Sequence, residues 1–207
     1  MKTTLFFILL SVLRAAAQEP ATDYRVTSAF PKYVTAAIEF RDPSGALWPN
    51  FFYGKPADDA GAIAFDPAKP AANFALSCDQ MAQAKGDQSR RVLGALPPPL
   101  AARLTISAMG AIQPAEAGAK DKATHVAELT GTLEIAGRKV AVKGPARLRR
   151  HEGKGDERNP ALMLDGHFTV RGTDLGLKTP AAVEVRATLT AYPPVATDIG
   201  TQRKLDP

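Results

Sequence analysis

The sequence contains a single cysteine, Cys78, among its 207 residues. No internal disulfide can form, so the fold must depend on its hydrophobic core. Cys78 follows Phe74 and Leu76 at alternate positions, on the apolar side of a predicted strand. This spacing favours a small buried apolar residue over a reactive or intermolecularly paired thiol.

Histidine is scarce as well, with only His125, His151 and His167 in the chain. Their separation gives no His-x-x-x-His or His-Glu-x-x-His spacing for zinc, and we expect His125 and His167 on the polar faces of strands. The sequence also lacks a Gly-x-Ser-x-Gly elbow and a glycine-rich phosphate loop. We therefore predict no catalytic residues, no metal site and no cofactor. An enzyme with a dispersed active site is the least favoured hypothesis.

Positive charge is in small excess, with 26 Lys and Arg residues against 21 Asp and Glu residues. Both signs are mixed along the chain. A nucleic-acid-binding protein would be expected to cluster its basic residues into a patch or stripe. We therefore expect no nucleic-acid partner.

No apolar run is long enough to cross a membrane as a helix, which needs roughly 20 residues. The longest run, from Leu5 to Leu13, follows Lys2 and precedes three alanines at 15–17. This order is typical of a secretory signal peptide covering residues 1–17. We predict one exported domain at residues 18–192, periplasmic or secreted and without stable membrane insertion, followed by a C-terminal tail at 193–207.

Alternation of apolar and polar residues is the dominant pattern that is present. The stretch "LTGTLEIAGRKVAV" at 129–142 alternates, breaks at Ala-Gly, and resumes. Similar runs recur along the chain and predict about eight or nine strands with one polar face, as in antiparallel sheets. One segment, "DQMAQAKGDQSRRVLGAL" at 79–96, lacks alternation and predicts a short helical insertion. The fold class is therefore all-β, either a barrel or a sandwich.

Aromatic residues concentrate in "LWPNFFYG", a segment with weak strand character. A loop folded over the mouth of a barrel could bring these side chains to an apolar ligand. Packing of the same side chains against the sheet is the alternative, and it is slightly favoured. The candidates for a portal are Trp48, Phe51, Phe52 and Tyr53.

Several segments resemble one known family. "LTGTLEIAGRKVAVKGPARL" is similar to a strand, glycine turn and second strand of the YceI-like, polyisoprenoid-binding family. "LDGHFTVRGTDLGLKT" is similar to the next family signature, with its tetrad at Thr173–Gly176. "GAIAFDPAKP" and "VEVRATLTA" resemble further family elements, whereas "YRVTSAFPKY" lacks the histidine of the usual family start. The resemblance covers most of residues 23–192 and is firmest from about residue 124.

The resemblance implies an elongated, antiparallel, lipocalin-like β-barrel of about eight strands with a short helical insertion. It also implies that a polyisoprenoid or similar lipid occupies the barrel lumen. The inward residues predicted to line that ligand are Val34, Ile38, Phe40, Ile63, Phe65, Phe74, Leu76, Leu129, Leu133, Val142, Phe168 and Val185.

Small residues on the inward side decide whether such a lumen is hollow. They are Ala36, Gly61, Gly131, Gly144, Gly166 and Ala187. Their size favours open space along the axis, and we expect Gly131 to accept a leucine without loss of stability. Glycine also marks bulges and tight corners of barrels, which is the competing interpretation.

The sequence therefore predicts an exported protein that sequesters or carries a long apolar molecule in its lumen. Its partner is the apolar lipid, and a homodimer is left open. The alternative is a structural or adhesive barrel with a filled core, acting through protein–protein contact.

Overall fold

The computed structural model describes residues 22–27, 36–57, 59–82, 88–116, 123–151, 160–179 and 181–194. The predicted signal peptide, residue Val34 and most of the predicted tail lie outside these ranges. The described residues form one antiparallel sheet of twelve strands. The strands are β1 Thr22–Val26, β2 Ala36–Arg41, β3 Asn50–Gly54, β4 Gly61–Phe65, β5 Ala71–Cys78, β6 Gln80–Met81, β7 Ala102–Met109, β8 Gln113–Pro114, β9 His125–Ile135, β10 Arg138–His151, β11 Ala161–Arg171 and β12 Ala182–Ala191.

The hairpin predicted from the sequence is formed by β9 and β10. Their pairing begins at Ile135 and Arg138, so Ala136 and Gly137 make a two-residue turn. Both turn residues have positive φ angles, 48° and 74°. This combination is the one that matches the right-handed twist of the two strands. Local sequence therefore sets the register of the longest hairpin.

The sheet curls until its first and last strands meet. Neighbouring strands pair in the order β1-β4-β5-β7-β9-β10-β11-β12-β2-β3-β6, with β8 pairing beside β9. The β12–β2 pairing extends over six residue pairs. Beyond the end of that ladder, Arg25 of β1 forms an antiparallel bridge with Tyr192. The result is a barrel in which the N-terminal strands complete the ring beside β12.

The number of strands exceeds the expected eight because the first half of the barrel is built from broken strands. β1 and β2 both lie along β12, and β3 and β4 lie along β6 and β5 respectively. A proline at position 56 lies in the break between β3 and β4, and a proline cannot donate a hydrogen bond to a sheet ladder. The second half, from β9 to β12, has long unbroken strands.

The predicted helical insertion is wrong. Within the described part of residues 79–96, the chain forms β6, a 3-10 turn at Gln88–Arg90 and further turns. Leu93 is fully buried in the core, and its amide donates a 2.9 Å hydrogen bond to Oδ1 of the buried Asn50. Tertiary burial of this segment outweighs its helix propensity.

Candidate functional site: the barrel interior and an outer groove

The predicted lining residues that the structure describes all belong to one apolar core cluster. They come from strands β2, β4, β5, β9, β10, β11 and β12. Leu133, Val142, Phe168 and Val185 therefore share the interior, as their alternation predicts. Their role in ligand binding stays a prediction.

The interior is filled by these side chains. None of the described lining residues exposes more than 3% of its surface. A space wide enough for water would leave accessible surface on the residues around it, so these side chains pack against one another. Phe40 and Phe52, for example, meet edge to face with ring centroids 5.6 Å apart.

Gly131 does not provide the open space that its size suggested. A Cβ atom at this position would overlap the carbonyl oxygen of Thr105 and lie 3.0 Å from Cα of Ile106. The adjacent strand β7 shifts register between Ile106 and Ala108, opposite Gly131. Glycine is needed here because two backbones approach closely at a bulge, which was the competing interpretation.

The aromatic segment is a strand and not a loop over a barrel mouth. Phe52 lies in the interior, fully buried, because β3 pairs with β2 and alternates its side chains. Phe51 and Tyr53 are half-buried on the outer face. Trp48 precedes the strand and is 44% exposed, while its amide donates a 2.9 Å hydrogen bond to the carbonyl of Arg90.

The opposite end of the barrel carries a small polar and aromatic cluster. His125 shares the inward side of β9 with Ala127 and Leu129, so the prediction of a polar-face position is wrong for this histidine. Its ring meets Phe65 edge to face at 4.9 Å. The guanidinium of Arg150 lies 5.8 Å from the centre of the same Phe65 ring. Aromatic contact stabilises the histidine at this rim.

Cys78 is buried, as its spacing predicted. Burial, with a smaller contribution from the charge of Asp79, raises the pKa of the Cys78 thiol to about 12. The neutral thiol therefore behaves as a small apolar side chain of the core.

A groove opens on the outer face of β10, β11, β12 and β2, with a volume of about 350 Å³. Strand register arranges its outward residues in two rows. Arg149, Met163 and Thr190 form one row, and Arg147, Asp165, Thr188 and Ala37 form the next. Arg186 also lines the groove. We call this site the outer groove.

Asp165 is fixed within the outer groove by two partners. Arg186 donates two hydrogen bonds to its carboxylate, at 2.8 and 2.6 Å, and Nε2 of His167 lies 3.2 Å from Oδ1. Burial opposes ionisation of Asp165, but the hydrogen bonds and positive charges of Arg186 and His167 outweigh it and lower the pKa of the carboxyl group. His167 is half-exposed on the outer face, as predicted.

The sequence pattern alone does not identify the arginines of the outer groove as one site. Arg147 and Arg149 alternate in "ARLRR", and Arg186 alternates in "VEVRAT", which marks all three as outward. Only the strand register brings them together, because the two segments are far apart in the chain.

Membrane-spanning helices and metal clusters are both absent from the part of the chain that the structure describes. No helix there is long and apolar enough to cross a membrane. No group of three or more His, Cys, Asp and Glu residues there is arranged to hold a metal ion.

Fold and interior together define an antiparallel β-barrel with an apolar core. No protein-family model matches the sequence, and no curated protein matches it either. Among solved structures, the crystal structure of Burkholderia cenocepacia BcnA is similar with a TM-score of 0.48 and 16% sequence identity. The match covers 75% of this chain and 96% of that chain. A likeness at this level identifies neither a family nor a function.

Proposed function

We propose that the protein is an exported, non-catalytic binding barrel that sequesters or carries a long apolar molecule, such as a polyisoprenoid. The observation that carries the proposal is the chemistry of the interior. The described lining residues are hydrocarbon and aromatic side chains in one contiguous cluster. A hydrocarbon ligand among them gains about 25 cal/mol per Å² of apolar surface removed from water, whereas a polar ligand finds few hydrogen-bond partners. The resemblance to YceI-like segments supports the same ligand class.

The filled interior sets a condition on this function. A long apolar molecule must displace side chains or separate a pair of strands to enter. The seam between β1 and β12 is the most easily opened, because one backbone bridge, at Arg25 and Tyr192, joins the two strands within the described part of the chain. We place the entry of the ligand at this seam.

A second function is favoured by one observation, the closed packing of the interior. A barrel whose inward lining residues expose at most 3% of their surface can serve as a rigid scaffold. Such a protein would act through contacts of its outer surface with other proteins. Leu47 and Trp48, both partly exposed beside each other, are candidates for such a contact.

Native mass spectrometry of protein purified from its own host, followed by organic extraction, tests the first function. We expect one lipid per chain, and one-to-one binding of a fluorescent isoprenoid analogue by the extracted protein. Leu133→Ala enlarges the interior and should bind the analogue at least as tightly as the wild type, although the cavity costs about 2–5 kcal/mol of stability.

Leu47→Ala is the matched control, because it removes the same atoms from a partly exposed side chain. Its analogue affinity should equal that of the wild type. The first function is contradicted if no lipid can be extracted and neither the wild type nor Leu133→Ala binds the analogue saturably. The scaffold function would then be the better account.

A further inference from the structure

The outer groove combines a positively charged wall with a small, partly apolar floor. Three arginines and one aspartate line it, so its charged lining residues carry a net formal charge of +2. The arginines come from two strands, β10 and β12, that flank β11. Convergence of basic side chains from separate strands on one concave site is a feature of anion recognition.

The net charge of +2 already includes Asp165. Arg186 engages its carboxylate with two hydrogen bonds, so one arginine of the groove is already matched to the one acid. Arg147 lies directly opposite Asp165 across the β10–β11 ladder. Arg149 lies one row further along, opposite Met163 and not opposite an acid.

The floor of the groove combines apolar side chains with two threonines. Met163 exposes 43% of its surface on the outer face of β11. Thr190 pairs with Met163 across the β11–β12 ladder, and Thr188 of the next row pairs with Ala37. Methionine is flexible and polarisable, and an exposed methionine adapts to apolar groups of varied shape.

We propose that the outer groove binds an organic anion in which a phosphate or carboxylate group adjoins an apolar segment. The anionic group is bound by the guanidinium groups of Arg149 and Arg147, which suit two-point contact with planar or tetrahedral oxyanions. The apolar segment lies against Met163 and Ala37. The site is on the outside of the barrel and does not depend on lipid binding in the interior.

The dimensions of the groove limit the ligand. A volume of about 350 Å³ fits a small molecule or one end of a lipid, since small-molecule sites occupy about 300–1,000 Å³. A formal charge of +2 is too small for a long polyanion, whose affinity rises with the number of phosphates contacted.

Calorimetry and methyl NMR test the anionic group and the apolar segment of the ligand separately. The probes are octyl phosphate, inorganic phosphate and octanol. Octyl phosphate, kept below its micelle concentration, should bind and shift the methyl signal of Met163 but not those of Met81 and Met109. Inorganic phosphate and octanol should each bind at least tenfold more weakly. Equal affinity for octyl phosphate and either of these probes would overturn the proposal.

Arg149→Gln should weaken octyl phosphate at least tenfold and reduce the salt dependence of binding. The matched control is Arg103→Gln, an exposed arginine on β7 that lies outside the outer groove, and it should bind like the wild type. Met163→Gln keeps the size of the side chain and should weaken octyl phosphate but not inorganic phosphate. If Arg149→Gln and Arg103→Gln bind octyl phosphate alike, the groove is not the site.

Discussion

Arg25 and Tyr192 join the two ends of the barrel through their backbones. The amide of Arg25 donates to the carbonyl of Tyr192 at 2.7 Å, and the amide of Tyr192 donates to the carbonyl of Arg25 at 3.0 Å. The two residues are separated by almost the whole described chain. This pair of hydrogen bonds links β1 to the end of the last strand, and it makes the seam testable by a backbone change.

Arg25→Pro removes one of these two hydrogen bonds, because proline has no amide hydrogen. We expect the free energy of unfolding to fall by at least the net contribution of one hydrogen bond, about 0.5–1.5 kcal/mol. If ligands enter at this seam, uptake of a fluorescent isoprenoid analogue should become faster. Urea unfolding and stopped-flow fluorescence measure the two effects.

Arg25→Ala is the control for that variant, since it removes the side chain and keeps the amide. It should unfold and take up the analogue like the wild type. If the proline and alanine variants take up the analogue at the same rate, the ligand does not enter between β1 and β12.

Gly131→Ala should destabilise the barrel, because its new Cβ would overlap the backbone of β7 at Thr105. Overpacking of this kind costs typically about 1–3 kcal/mol. Gly110→Ala is the matched control, as a Cβ there meets its nearest atoms at 3.6 Å, an ordinary contact. Thermal unfolding should therefore separate the two variants, and equal melting temperatures would show that β7 yields at this position.

Cys78 should resist alkylation in the folded protein. A thiol whose pKa rises from 9.0 to about 12 has about a thousandfold less thiolate at pH 8. The raised pKa also makes stability fall as pH rises from 9 towards 12, since only the unfolded thiol ionises in that window. Iodoacetamide labelling followed by mass spectrometry, with the urea-unfolded protein as reference, measures the difference. Native labelling within tenfold of the reference rate would contradict the buried position.

Asp165→Asn should lower the stability of the protein at neutral pH. In acid, the variant and the wild type should be equally stable. The pKa of Asp165 is lowered in the folded state, so its contribution is present above the ordinary value of 3.8 and is lost as pH falls through the folded pKa. Melting temperatures of wild type and variant should therefore converge as the pH falls through the folded pKa of Asp165.

Asp174→Asn provides the comparison for Asp165, because Asp174 pairs with the largely exposed Arg171. Exposed ion pairs contribute little to stability, with a median of about 0–1 kcal/mol. Its melting temperature should stay close to that of the wild type at every pH. If Asp174→Asn lowers the melting temperature more than Asp165→Asn does, the Asp165 network contributes less to stability than its geometry indicates.

Much of the interior was predictable from the sequence by itself. Alternation is a local property, since successive side chains of a strand point to opposite faces. Leu133, Val142 and Phe168 were placed in the core on this basis, and the Ala136–Gly137 turn fixed the longest hairpin. The buried Cys78 followed from the same alternation.

The tertiary structure alone decided how these strands meet. The closure at Arg25 and Tyr192, the contact of Gly131 with the bulge of β7, and the grouping of arginines in the outer groove all depend on register between distant segments. Alternation tells which face a side chain occupies but not which backbone lies opposite it. For the same reason, Gly131, which suggested a hollow lumen, lies where two strands approach closely, and the packing of the interior could be determined only from the folded barrel.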